Sequence, residues 1–240
     1  VAGEFGRMEM IEVMGLDGFD YDYNPATQTF SASQVSSSGP VILDTNGPGN
    51  AVRVTTNVTN VFGPAQSISF QMLDNSEDNL TVDLDSALAG DLSIDLGVGI
   101  RTVSLAGDSN TIGGNLSVQG GNGPQVVNLA TNQNLNVVGM ADFDLGGGVD
   151  TLRPNGRAIT VGGDLGWTGV NEFVNDGQLS IGGMMSVDNS SDGVASQIID
   201  NAVIAINGGD FTYMGSDAAD MVILSSSSTI NGNIDIKAGD

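Results

Sequence analysis

The sequence predicts an all-β chain folded as a right-handed, three-sided parallel β-helix of about 24 residues per coil with an N-terminal β-hairpin cap, and three observations predict it. First, a short phrase begins at Gly90 and returns at Gly114, Gly139, Gly163, Gly183, Gly209 and Gly232, at spacings between 20 and 26 residues. A period in this range marks a solenoid. Second, each phrase carries two apolar residues one position apart, from Leu92 and Ile94 to Ile234 and Ile236, with small or polar residues such as Ser93, Ser117 and Thr212 between them. Such alternation reads as a strand with one buried face. Third, two more strands follow within several coils, one at pairs such as Val103 and Leu105 or Val127 and Leu129, one ending at Ile112, Val137, Val161, Ile181, Ile206 or Ile230. Gly, Asn and Asp turns separate the three.

Residues 1–40 do not fit the repeat and read as a cap. Met8 to Val13 and Phe19 to Tyr23 alternate around Gly15-Leu16-Asp17-Gly18, as a hairpin would. Asn24-Pro25-Ala26-Thr27 is a turn, Gln28 to Ala32 a further strand, and Ser36 to Pro40 a loop. A solenoid exposes its apolar interior at its ends, so an atypical terminal segment is expected there. Residues 41–240 hold the coils. Strands at Val41–Leu43, Val52–Thr55 and Val58–Phe62 are expected to form an irregular first coil, and Ser67–Met72 with Leu80–Leu84 a second. Regular coils then run to the end, the last represented by its first strand alone. No stretch holds the 3.6-residue apolar period of a substantial helix.

Composition bounds the function. A chain of 240 residues with 40% apolar content can bury a core, and the repeat makes it one elongated domain. A net charge of −23 opposes binding to nucleic acid and to anionic membranes. No apolar run reaches the 18 or more residues of a spanning helix, so membrane insertion is not expected. The absence of Cys excludes disulfides and thiol chemistry. The first residue is Val, as expected of a mature chain after leader removal or of one that starts at an internal boundary.

The best metal motif is Gly146-Gly147-Gly148-Val149-Asp150-Thr151-Leu152. It resembles the Gly-x-Gly-x-Asp-x-apolar unit of RTX toxins and adhesins, in which carbonyls and Asp carboxylates of successive turns surround calcium. The resemblance makes Asp150 the candidate calcium ligand, and no other cofactor is expected. The equivalent turns carry Arg101 and Gln125 at the acid position, and the competing reading is a structural turn in which Gly supplies positive φ. Asp20-Tyr21-Asp22-Tyr23-Asn24 has the spacing of a calcium loop but Pro25 where that loop needs Gly, and reads as a solvated strand face. Behind the repeat Gly stands a column of Asp91, Asn115, Met140, Asp164, Met184, Asp210 and Asn233, in which no two successive members are both acidic. That is the pattern of turn residues without bound cations.

An enzyme is not expected. With no His and no Cys, the Ser-His-Asp and Cys-His systems are excluded. A glycosidase needs two placed carboxylates, and the outward column of Asp95, Asp144 and Asp188 is interrupted by Gln119, Thr168 and Met214. Trp167, the one Trp, falls in an inward column and reads as core rather than as a sugar platform. Four Asn-x-Ser/Thr patterns, at Asn57, Asn79, Asn115 and Asn189, are expected from composition.

Coils rich in Asn, Ser, Thr, Gly and Asp with a single Lys resemble those of bacterial exported proteins, among them haemagglutinin-type and autotransporter-passenger β-helices. The resemblance implies a secreted or cell-surface structural protein, an adhesin-type scaffold or fibre subunit. Self-association head to tail is the expected partnership. The alternative is a polysaccharide-active enzyme or carbohydrate-binding module, and a third reading is a calcium-stabilised RTX-like module.

Overall fold

Four-residue alternating stretches form strands, and strands of successive coils lie parallel at matching positions. The computed structural model describes residues 11–14, 19–35, 41–47, 51–56, 59–72, 79–191, 193–237 and 239. Three parallel sheets form a β-solenoid. The first holds the repeat phrases, Leu92–Asp95, Leu116–Gln119, Ala141–Asp144, Leu165–Thr168, Met185–Asp188, Phe211–Met214 and Ile234–Lys237, paired residue for residue. The second stacks Leu80–Asp83, Arg101–Ala106, Gln125–Asn128, Thr151–Arg153, Glu172–Asn175, Gln197–Asp200 and Met221–Ile223. The third runs from Thr111–Ile112 to Thr229–Ile230. Both apolar columns of the first sheet face inward as expected. Phe143, Trp167, Val187, Phe211 and Tyr213 are buried, whereas Ile234 and Ile236 in the final strand are 55% and 48% exposed.

Three or four residues link each third-sheet strand from Ile112 onward to the next first-sheet strand. The link from first to second sheet varies from three residues (169–171) to eight (189–196), and much of the irregular repeat spacing is taken up there. The constant corner is where the repeat Gly stacks. Gly139 N donates to Gly114 O at 2.9 Å and Gly163 N to Gly139 O at 2.9 Å. A Cβ on Gly139 would lie 2.7 Å from Gly114 O, so glycine is required by close approach of backbones.

The Asx column follows, and its role differs from the expected local turn. Asn115 N donates to Asp91 Oδ1 at 2.7 Å, Met140 N to Asn115 Oδ1 at 2.9 Å, Met184 N to Asp164 Oδ1 at 2.9 Å and Asn233 N to Asp210 Oδ1 at 2.7 Å. Each side chain ties its own coil to the next. Repulsion between carboxylates is avoided because the donor in the next coil is a backbone N–H.

At the N-terminus Ile11–Met14 pairs antiparallel with Phe19–Asn24, and that strand with Thr29–Gln34, as the hairpin reading expects. Met8 to Met10, the Gly15 to Gly18 connection and the loop Ser36 to Pro40 lie outside the described residues. Parallel stacking begins inside this segment, because Thr29–Gln34 pairs parallel with Ser67–Gln71. Residues 41–64 depart from the expected irregular coil. Val41–Gly47, Ala51–Thr55 and Thr59–Pro64 form an antiparallel meander on the edge of the second sheet, with Val58 outside the described residues. Connections of three residues permit a reversal, whereas a parallel return needs about a dozen residues. Aromatic rings fill this end, with Phe62 centred 4.8 Å from Tyr21 and 4.9 Å from Phe30, and Phe19 5.3 Å from Phe70. No helix among the described residues is long and apolar enough to cross a membrane.

Candidate functional site

A line of buried polar groups lies inside the corner between first and second sheets. Arg101, Gln125, Asp150, Asn171 and Ser196 follow one another coil by coil, each at most 4% exposed, and Asp220 continues the line. Turn peptides here direct N–H groups into the protein, and buried donors need partners. Gln125 N donates to Asp150 Oδ1 at 2.7 Å, Asp150 N to Asn171 Oδ1 at 2.7 Å and Ser196 N to Asp220 Oδ1 at 2.8 Å. Arg101 Nη1 donates to Leu96 O. Ser196 Oγ donates to Asp220 Oδ1 at 3.0 Å and also meets the Tyr213 hydroxyl, whose pKa burial pushes up. Sequence reasoning aligned Arg101, Gln125 and Asp150 as one turn position but did not carry the row on to Asn171, Ser196 and Asp220. Its signal was present, since each member stands two positions before an inward residue of the second sheet, such as Val103, Val127 or Leu152, and shares that residue's face.

Asp150 is thus placed inside the corner. The turns containing Gly97, Gly123 and Gly148 do adopt positive φ, at 58°, 138° and 150°. Calcium requires six to eight oxygen ligands, and the row offers Asp150 beside Gln125 and Asn171, with Arg101 one coil beyond Gln125. No group of three or more acidic, His or Cys side chains arranged for a metal occurs among the described residues. Asp150 acts as the acceptor of a coil-to-coil hydrogen bond, the role of a structural turn residue. EDTA is accordingly expected to lower the melting temperature by no more than about 2–4 °C, measured by circular dichroism. A collapse of folding in EDTA would restore the metal reading.

The outward acids serve the same corner from outside. Asp95 Oδ1 accepts from Gly97 N at 2.8 Å, and Asp188 Oδ1 accepts from Ser190 N at 3.0 Å. Asp142 lies in the same face as Asp144, and its pKa is raised by partial burial and then by the Asp144 charge. Asp20 and Asp22 point outward from a strand whose Tyr21 and Tyr23 point inward. Asn24 Oδ1 accepts from Ala26 N at 3.0 Å, so that segment ends in an Asx turn rather than an ion loop. Trp167 is 2% exposed, its ring 4.8 Å from that of Phe173. Asn189 is fully buried and donates to Val170 O at 2.8 Å, which removes it as a glycan acceptor. Asn79 and Asn115 are exposed, with Oδ1 atoms engaged by Thr102 N and Met140 N, and Asn57 lies outside the described residues.

The depressions among the described residues include two on the outer surface. A trough of about 250 Å³ crosses the first sheet, lined by Asp22, Thr29, Ser31, Ser67, Ser69, Asp91 and Ser93 over Phe30 and Ile68. Small Ser side chains in successive strands leave the floor low, and Asp22 and Asp91 stand at its margins. A notch of about 120 Å³ on the second sheet is lined by Thr151, Arg153, Asn155, Glu172, Val174 and Asp176, with Arg153 and Glu172 3.8 Å apart. Comparison with protein-family models, with curated proteins and with solved structures finds no match in any of the three.

Proposed function

We propose that the chain is a secreted structural solenoid, an extracellular scaffold or fibre element that is extended along its axis. The supporting observation is the direction of its strands. Two strands reverse in turn beyond Thr29–Gln34, so Ile11–Met14 again runs with the coils; two reverse beyond Val41–Gly47, so Thr59–Pro64 does too. The sheet edges at opposite axial ends, Ile234–Lys237 in the first sheet and Met221–Ile223 in the second, therefore share the direction of the edges at the N-terminal end. A further coil or a second copy of the chain meets a parallel edge in both sheets, with Ile234 and Ile236 half exposed to receive it. A contact of this head-to-tail kind does not close on itself. The charge of −23 opposes lateral clumping, so salt is expected to lengthen the particles without precipitating them.

The expected result is elongated particles in electron micrographs of the 240-residue chain at high concentration, lost on Ile234→Asp together with Ile236→Asp while strand content is kept. A chain that stays monomeric in moderate salt overturns the association. A second reading, a carbohydrate-binding module, is favoured by the serine-floored trough alone. Glycan binding abolished by Ser69→Tyr, with particles unaffected, would select it.

A further inference from the structure

The seam between the N-terminal meander and the first coil of the second sheet carries an uncompensated row of charge. Val41–Gly47 pairs parallel with Leu80–Asp83, and the register sets Asp44 directly beside Asp83. Arg53, opposite Asp44 in the next strand, places Nε 2.8 Å from Asp44 Oδ1 and Nη2 3.0 Å from Asp44 Oδ2. Both carboxylate oxygens of Asp44 are thereby engaged by one guanidinium. Asp83 receives no such contact, and its Oδ1 is buried with no hydrogen-bond partner. Like charges side by side on neighbouring strands destabilise the pairing. Among the described residues, the charges that face Asp83 are Asp44 and Arg53 of the meander, Asp85 just after its own strand, and Asp108 of the following coil, whose N donates to Asp85 Oδ1 at 3.4 Å. Among the described residues, four carboxylates thus share one cation.

We propose that the meander of residues 41–64 docks on the coil of Leu80–Asp83 in a proton-coupled way, held more tightly in mildly acidic solution than at neutral pH. The proton would sit on Asp83, where it removes the charge beside Asp44 and supplies a donor toward Asp85. The Asp83 pKa is raised above its ordinary 3.8, by burial first and then by Asp85, Asp44 and Asp108. An acid whose pKa is raised in the docked state binds more protons docked than open. Its stabilisation is present at low pH and lost as pH rises from about 3.8 through the raised value. Arg53 leaves with Asp44 when the meander opens, so the coil's Asp83 and Asp85 lose its attraction as well as the repulsion of Asp44, and the burial of Asp83 is the larger effect that docking adds.

Hydrogen exchange corrected for intrinsic rates tests this on the whole chain. Amides of residues 41–45 and 80–84 are expected to be protected roughly three- to tenfold more at about pH 4 than at about pH 7, while those of residues 159–181 change little. Asp83→Asn should give the acid level of protection at both pH values, and Asp85→Asn should give a smaller response than the wild type. Equal protection of the wild-type seam at the two pH values overturns the proposal, as does a full response that survives in Asp83→Asn. Should Asp83→Asn fail to fold, the reduced response of Asp85→Asn decides, and an unchanged response there overturns it.

Discussion

Trp167→Ala is expected to destabilise the chain by about 3–5 kcal/mol, the usual loss for deleting a large aromatic side chain from a packed core. Trp167 stands between Phe143 and Val187 in the inward row of the first sheet and lies against Phe173 of the second. Each coil contributes one side chain to that row, and neighbouring coils are held by their own backbone ladders. The cavity therefore cannot close by collapse, which places the loss toward the upper part of the range. Thr168→Ala, one residue on and outward-facing, is expected to change stability by no more than about 0.5 kcal/mol. Urea titrations of the two variants decide it. Similar midpoints would mean that the first-sheet strands face the other way.

The second large effect is expected at Gly169, in the shortest link between the first and second sheets. Its φ is +72°, and a Cβ there would lie 2.2 Å from Gly146 O in the preceding coil. Gly169→Ala thus meets backbone strain of about 1–3 kcal/mol and a steric term of about 1–3 kcal/mol from overpacking. Gly193 separates the two. Its φ is +64°, yet a Cβ would meet nothing within 4 Å. Gly193→Ala should show the backbone cost alone. Equal losses in the two variants would show that coil-to-coil contact contributes nothing at Gly169.

The corners divide what was legible from what was not. At the third-to-first corner the link keeps nearly constant length, so the repeat Gly and the columns behind it could be aligned by counting. Every first-sheet pair from Leu92 to Ile236 then falls where the periodicity expects it. At the first-to-second corner the links range from three to eight residues. Counting from the Gly aligns Arg101, Gln125 and Asp150 but misses Asn171 and Ser196, which end the shortest and the longest of these links, so the buried line was only partly legible. Asp150 shows the consequence. Its local motif resembles a calcium turn, and only the stacked neighbours Gln125 and Asn171 show that the carboxylate is used inside. The seam was hidden for a related reason, because Asp44 and Asp83 become neighbours only through strand register.

The sequence by itself determined the class of fold, the coil length and the inward face of the first-sheet strands from Leu92–Asp95 to Phe211–Met214. Period-two alternation and a repeat of about 24 residues are local properties, and stacking is the one arrangement that buries every such face at once. Tertiary structure decided the antiparallel meander of residues 41–64, the use of Asx side chains as links between coils, and the partners of each buried polar group. Those depend on which residues lie side by side across coils some 20 to 26 positions apart, and that adjacency is set by register and turn length rather than by any residue's own preference.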